Sequence, residues 1–147
     1  MKQIDWLFFD VGSTLVNEEK AYQERIKQAL ADTNISYAAF YQTMIHYFME
    51  NKKGDVEALK YYGLKPPAWN SDLEVLYPDC KNVLKTLHSH YKIGILANQL
   101  PNLLARLRNF GIDSYIDLII SSADVGLAKP NLAIFKLALQ QANCLAE

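Results

Sequence analysis

Three polar side chains, each placed after an apolar run, could together hold a phosphoryl group. Asp10 offers a carboxylate nucleophile, Asn98 an amide donor, and Lys129 a cation that offsets negative charge. The runs that precede them span residues 4–9, 91–96 and 115–120. Because ligands of an open parallel sheet bind beyond the carboxyl ends of its strands, we expect the three side chains to converge at one edge of a sheet.

The three runs alternate with segments of helical period, which places the candidate residues on an α/β scaffold. Short runs of large apolar residues bounded by turn residues predict buried strands. Apolar residues at spacings of three and four predict helices, at about residues 18–30, 37–48, 55–62, 79–90, 101–110 and 131–142. Strands that alternate with helices indicate an α/β fold with a parallel sheet, of the three-layer Rossmann-like kind.

Apolar positions within these helices predict which side chains form the core. We expect Val83 and Leu84 in one helix, and Leu103 and Leu104 in the next, to face inward. A stripe of aromatic residues in the segment 37–48 is predicted to form the core of a separate helical region: Tyr37, Phe40, Tyr41 and Phe48.

The bulk composition is that of an ordinary globular chain and excludes several classes of function. The 147 residues carry 15 basic and 16 acidic side chains, a formal charge of −1, which supplies no basic field for nucleic acid. No uninterrupted apolar run reaches the ~18 residues of a membrane span, and the start lacks a signal-peptide pattern. We therefore expect a cytoplasmic protein without nucleic-acid or membrane partners, whose cysteines, Cys80 and Cys144, stay reduced.

Three motifs, in order along the chain, resemble those of the haloacid-dehalogenase-like (HAD) hydrolases. FFDVGSTL at residues 8–15 resembles the first motif, IGILAN at 93–98 the second, and KP at 129–130 the third. The segment YPD at 77–79 is similar to the point where such chains re-enter the core after an inserted cap. Each motif alone is weak. Their order and their positions at strand ends carry a resemblance that covers nearly the whole chain.

The resemblance implies a helical cap at residues 17–75, inserted into an α/β core formed by residues 1–16 and 76–147. It also implies a shortened core, because the chain ends at Glu147, before the fourth strand that in the family lies beside the first and carries acidic metal ligands. The strand at 4–9 would then be an exposed edge, and exposed edges recruit other strands. We expect either a homodimer through that edge or a loss of order there.

The resemblance also implies a reaction and a set of site residues. Asp10 would attack phosphorus and form an aspartyl-phosphate that water hydrolyses, while Lys129 stabilises the negative charge. Mg²⁺ would be held by Asp10 and by the backbone carbonyl of Gly12. The implied substrate is a small phosphorylated metabolite, and the residues implied to bind its phosphate are Gly12, Ser13, Thr14 and Asn98.

Two positions depart from the family pattern and leave other functions open. Gly12 stands where the phosphatases carry a second aspartate that acts as general acid and base, and Ala97 stands where they carry serine or threonine. Gly12 is also expected to take an unusual φ at the hinge of the cap. One alternative is a metal-independent dehalogenase that uses the same aspartate. The other is a non-catalytic phosphate-binding or interaction module.

Overall fold

The chain forms two compact units, described here from a computed structural model for residues 4–145. One unit contains the chain up to Asn17 and from Val75 onward, and the other is Glu18–Glu74. The elements in chain order are β1 (Trp6–Phe9), β2 (Val16–Asn17), α1 (Glu19–Leu30), α2 (Tyr37–Met49), α3 (Gly54–Tyr61), β3 (Val75–Leu76), α4 (Cys80–His88), β4 (Lys92–Ala97), α5 (Leu103–Asn109), β5 (Leu118–Ser121), α6 (Ser122–Val125) and α7 (Leu132–Ala142). Short 3₁₀ turns lie at Ser71–Leu73 and Asp113–Tyr115.

The first unit, which we call the core unit, is built on a parallel sheet in the order β1-β4-β5. β4 lies in the centre, and five of its six residues are buried. A central parallel strand is covered on both faces, which explains its continuous apolar sequence. β2 and β3 form a separate antiparallel pair at the two chain positions that flank the helical unit.

Helices cover the sheet of the core unit on both faces. Ile93, Ile95 and Ala97 of β4 belong to one core cluster together with apolar residues of α4 and α5, among them Leu84, Leu103 and Leu107. Leu96 belongs to a second cluster with Ile120 and with Ile134 and Ala138 of α7. Side chains of successive strand residues therefore point to opposite layers. This arrangement confirms the predicted three-layer α/β fold.

The ring of Phe8 lies over Gly94, its partner on the neighbouring strand. A Cβ atom at position 94 would stand 2.4 Å from Cε1 of that ring, closer than real Cβ contacts allow. The glycine thus makes room for a large aromatic side chain between β1 and β4. This close approach helps to fix the position of β1 relative to β4. Asp10 follows β1 directly.

The second unit, Glu18–Glu74, which we call the helical unit, has its own apolar core. Ile26 of α1, Phe40 and Met44 of α2, and Ala58 and Leu59 of α3 are buried together. A partly buried ion pair joins Arg25 to Asp55, and the residue Asp55 is 9% exposed. The attraction of the paired guanidinium offsets the desolvation cost of burying the carboxylate.

Several local expectations differ from the structure. Val83 and Leu104 are 47% exposed each, because they lie on the solvent side of α4 and α5. Of the aromatic stripe, Phe40 is buried, whereas the side chains at 37, 41 and 48 keep more than a third of their surface exposed. The third strand begins at Leu118 and not at 115, since residues 113–115 form a 3₁₀ turn. The pair β2–β3 and the short helix α6 were not predicted.

The first strand is a regular element of the sheet, paired with β4 over four residues; the choice between a dimer and a loss of order at this edge stays a prediction. β1 is an edge of the sheet that residues 4–145 form. Both cysteines are free, and burial raises the pKa of the Cys80 thiol. Within residues 4–145, no helix combines the length and apolar character that crossing a membrane requires.

Candidate active site

Asp10 and Lys129 form an ion pair beyond the carboxyl end of the sheet. Asp10 is the first residue after β1, and Lys129 lies in the segment between α6 and α7. The distance from Lys129 Nζ to Asp10 Oδ1 is 3.1 Å, with 24% of the lysine side chain and 43% of the aspartate side chain exposed. Because the pair is partly buried, solvent and salt screen its charges less than those of a fully solvated pair. The structure thus brings the predicted carboxylate and cation together.

The carboxylate of Asp10 is oriented through one of its two oxygens. Oδ1 accepts a hydrogen bond from the backbone N–H of Val11 at 2.9 Å, besides its contact with Lys129. Within the described chain, 4–145, Oδ2 has no hydrogen-bond partner. Bonds to one oxygen fix the plane of the carboxylate and leave the lone pairs of the other available for attack.

A tight turn follows Asp10 and contains Gly12, Ser13 and Thr14. The carbonyl of Val11 accepts backbone hydrogen bonds from residues 14, 15 and 16 at 2.9–3.2 Å. The N–H of Ser13 donates to the carbonyl of Val16 at 2.8 Å, so it is not directed at a ligand here. Ser13 has a φ of 56°, whereas Gly12 is not at positive φ, so the unusual backbone expected of Gly12 belongs to its neighbour.

Asn98 contacts the backbone of Lys129. Its Oδ1 accepts from the N–H of Lys129 at 2.7 Å, and its Nδ2 donates to the carbonyl of Lys129 at 2.9 Å. The residues that precede Asn98 belong to the buried strand β4. The predicted amide therefore does lie beside the lysine, and its side chain is engaged with the main chain there. The peptide bond between Lys129 and Pro130 is cis.

Further polar residues that sequence reasoning did not select support this edge of the sheet. The N–H of Gln99 donates to Ser122 Oγ at 3.1 Å, and Arg106 Nη2 donates to Gln99 Oε1 at 2.6 Å. Ser121, the partner of Ala97 on the neighbouring strand, is 1% exposed. Its hydroxyl has no hydrogen-bond partner among residues 4–145. The sequence signal for Gln99, Ser121 and Ser122 was their position just after β4 or at the end of β5, whereas Arg106, in α5, carried no such signal.

An apolar cavity of about 330 Å³ lies next to the ion pair, within the core unit. Besides Asp10 and Lys129, it is lined by Phe8, Phe9, Leu96, Phe135, Ala138 and Leu139. An apolar wall lowers the local dielectric constant, which strengthens the attraction between the carboxylate and the ammonium. It also strengthens any interaction of Lys129 with a negatively charged substrate.

The residues that could hold a metal at this edge are few. Among residues 4–145, no group of three or more His, Cys, Asp or Glu side chains forms a metal cluster. Asp10 supplies one carboxylate, and Gly12 supplies a backbone carbonyl. Mg²⁺ in phosphoryl-transfer sites is bound by one or two carboxylates, substrate oxygens and several waters, so this small set of oxygens fits Mg²⁺ and does not fit Zn²⁺.

The family model of the haloacid dehalogenase-like hydrolases matches residues 4–146. The chain belongs to this family. Solved structures of similar fold include the HAD-hydrolase YfnB of Bacillus subtilis bound to magnesium. That likeness has a TM-score of 0.66 at 21% identity and covers 99% of this chain and 75% of YfnB. It shows that this hydrolase shares the fold of the family.

Two curated relatives of this hydrolase are named for the phosphate compounds on which they act. The pyrimidine 5'-nucleotidase YjjG of Escherichia coli (strain K12) is 26% identical over 162 residues, which cover 94% of this chain and 71% of YjjG. The glyceraldehyde 3-phosphate phosphatase of Methanothermobacter thermautotrophicus (strain ATCC 29096 / DSM 1053 / JCM 10044 / NBRC 100330 / Delta H) is 32% identical over 73 residues. That match covers 48% of this chain and 32% of the phosphatase.

Proposed function

We propose that this hydrolase is a Mg²⁺-dependent phosphatase that cleaves a small phosphorylated metabolite through an aspartyl-phosphate on Asp10. The observation that carries the proposal is the 3.1 Å contact between Lys129 Nζ and the Asp10 carboxylate. A nucleophilic carboxylate and a phosphate are both anions. A fixed cation between them removes the repulsion that would otherwise oppose their approach.

In the first step, Asp10 Oδ2 attacks the phosphorus of a monoester in line with the leaving oxygen. A bond forms between Oδ2 and phosphorus, the bond from phosphorus to the leaving oxygen breaks, and the electron pair of that bond goes to the leaving oxygen with a proton from solvent. In the second step, a water oxygen attacks the same phosphorus and loses a proton to solvent. The bond between phosphorus and Oδ2 breaks, its electron pair returns to the carboxylate, and inorganic phosphate leaves. Val11 N–H and Lys129 keep Oδ1 in place throughout.

Lys129 acts as the fixed charge of the site. Its ammonium contacts Asp10 and can reach a phosphoryl oxygen as negative charge spreads over the transferring group. A partly buried lysine next to an apolar wall interacts more strongly with negative charge than a solvated lysine does, since water screens it less. We assign to Ser13 and Thr14 the remaining contacts with the phosphate, since the side chain of Asn98 is bonded to the backbone of Lys129.

Asp10 and the carbonyl of Gly12 are the chain's ligands for Mg²⁺ in this proposal. The ion, when bound, neutralises charge between the carboxylate and the phosphate oxygens. The relatives support this substrate class, because a nucleotide and glyceraldehyde 3-phosphate both carry a phosphate monoester. The role of the helical unit, 18–74, as a cap that screens substrates stays a prediction.

The test is turnover of a panel of phosphate monoesters in Mg²⁺, with nucleoside monophosphates and triose phosphates included. Asp10→Asn should abolish phosphate release, and Lys129→Ala should lower kcat by about 10²–10³-fold, as loss of an electrostatic contact in the transition state does. Lys136→Ala, an exposed lysine in α7, is the matched control and should leave kcat unchanged. Full activity of Asp10→Asn would refute the proposal.

Two observations favour carbon–halogen cleavage as a second candidate. Gly12 supplies no acid for an alkoxide leaving group, and a halide needs none. The apolar cavity beside Asp10 also suits a halocarbon better than it suits a phosphate. If the protein turns over a 2-haloacid in the presence of EDTA and releases no phosphate from phosphate esters, it is a dehalogenase.

The remaining alternative is a non-catalytic module. Binding of inorganic phosphate without turnover of either substrate class would indicate that function.

We further propose that the edge strand β1 pairs two copies of this chain. β1 pairs only with β4 among residues 4–145, so its other side offers free backbone groups to a strand. Sedimentation equilibrium should then show a dimer whose population grows with concentration. Ile4→Lys adds a charge at an exposed position just before β1 and should favour the monomer, because edge lysines block strand pairing. A monomer at all concentrations would exclude the dimer.

A further inference from the structure

The side chain of Asn98 and the backbone of Lys129 exchange two hydrogen bonds, at 2.7 and 2.9 Å. We propose that Asn98 is a positioning residue that sets the direction of the Lys129 side chain toward Asp10. The proposal rests on the proposed function, in which Lys129 is the fixed charge. Two hydrogen bonds from one planar amide fix both the position and the orientation of the Lys129 backbone. A single hydrogen bond would leave that backbone free to rotate.

Lys129 depends on such support because it does not lie in a helix or strand. It occupies the segment between α6 and α7, after Gly126 at a φ of 68°. A lysine side chain is a flexible four-carbon stem, so a small rotation of its backbone moves the ammonium by a larger distance. Holding the main chain at residue 129 is therefore an effective way of keeping Nζ within 3.1 Å of Asp10.

Asn98 can serve as an anchor because both of its neighbours are held. Ala97 is fully buried at the end of β4. Gln99 donates through its N–H to Ser122 Oγ at 3.1 Å, and its side chain accepts from Arg106 at 2.6 Å. The position of the lysine is thus set by the central strand of the sheet, through Asn98, across 31 residues of sequence.

The orientation of the Asn98 amide separates this role from direct substrate binding. The N–H of Lys129 requires an oxygen and its carbonyl requires a nitrogen donor, so one orientation alone satisfies both bonds. The family resemblance predicts that Asn98 binds the phosphoryl group. Its carbonyl oxygen and one of its two amide hydrogens are instead used by Lys129. A residue that acts through Lys129 should lose its effect when Lys129 is removed.

The test is a double-mutant cycle on kcat with Asn98→Ala, Lys129→Ala and the double variant. We expect Asn98→Ala to lower kcat by about 10–100-fold in the native background, as displacement of a reacting group by about 1 Å does. In the Lys129→Ala background the same change should cost less than about twofold. Asn98→Asp, which keeps the acceptor for the N–H of Lys129, should recover part of the loss. An equal cost in both backgrounds would mean direct contact with substrate and would overturn the proposal.

Crystal structures of the native chain and of Asn98→Ala supply a readout that needs no activity. We expect the native contact of 3.1 Å between Nζ and Oδ1 to lengthen beyond the 4.0 Å limit of an ion pair in the variant. An unchanged contact would overturn the positioning role. If the native enzyme turns over no phosphate ester, the proposed function fails while this distance still decides the positioning role.

Discussion

Gly12 occupies the position two residues after Asp10, and a glycine brings no proton donor to a leaving oxygen. General acid and base assistance contributes about 10²–10⁴-fold to such reactions. The backbone of Gly12 is not at positive φ, so its conformation does not exclude an L side chain. The site therefore has a cation beside its carboxylate and lacks a proton-transfer group at position 12.

Gly12→Asp should raise kcat for phosphate monoesters with poor leaving groups by 10-fold or more, because it supplies that group. The gain should be small for an activated ester such as p-nitrophenyl phosphate, whose leaving group needs no proton. Gly12→Asn has the same size and transfers no proton, so it serves as the matched control. Equal kcat values for the two variants on alkyl phosphates would contradict this account of the residue.

Ser121 is a buried hydroxyl without a hydrogen-bond partner among residues 4–145. Such a group costs about 1–3 kcal/mol, so Ser121→Ala should raise the free energy of unfolding by roughly that amount in urea titrations. Ser122→Ala is the matched control, and it should change the free energy of unfolding in the opposite direction. Ser122→Ala removes the acceptor of the Gln99 N–H and should lower stability by about 1 kcal/mol. Destabilisation by Ser121→Ala would show that the hydroxyl has a partner.

Strands and helices of ordinary length were predictable because each carries a periodic apolar pattern. β1, β4, β5 and the longer helices lie where the periods predict them, and the parallel order of the strands explains why Asp10, Asn98 and Lys129 meet. β2 and β3 have two residues each, which is too short for a periodic apolar pattern to be recognised in the sequence. The direction of the Asn98 amide could not be predicted, because it depends on a contact with a backbone 31 residues away.

The contact between β1 and β4 depends on the absence of a side chain at Gly94. Gly94→Ala should lower the free energy of unfolding by about 1–3 kcal/mol, since its Cβ would collide with the ring of Phe8. The same change should cost less in a Phe8→Leu background, where the ring is gone. Urea titrations of the two single variants and the double variant measure this coupling. A cost that is equal in both backgrounds would mean that the ring is not the obstacle.

The whole chain contains two compact units with separate apolar cores. Each unit holds one of the two tryptophans, Trp6 in the core unit and Trp69 in the helical unit. A chain of this kind need not unfold in a single two-state step. Variants that keep one tryptophan each, Trp6→Phe and Trp69→Phe, therefore report on the two units separately by fluorescence.

Leu59→Ala should lower the urea midpoint reported by Trp69 more than the midpoint reported by Trp6, because Leu59 is buried in the helical unit. Leu84→Ala, in the core unit, should have the reverse effect. Removal of a buried leucine side chain costs about 2–5 kcal/mol, enough to resolve the two transitions. If each variant shifts both midpoints equally, the two units unfold as one.

The central claim is that Asp10 becomes phosphorylated during turnover, with Lys129 beside it at 3.1 Å. The most direct measurement is acid quenching of the enzyme with a phosphate monoester in Mg²⁺, followed by peptide mass spectrometry. We expect a phosphoryl group on the peptide that contains Asp10, and none in Asp10→Asn. Phosphate release without any modified Asp10, or an equal modification in Asp10→Asn, would contradict the claim.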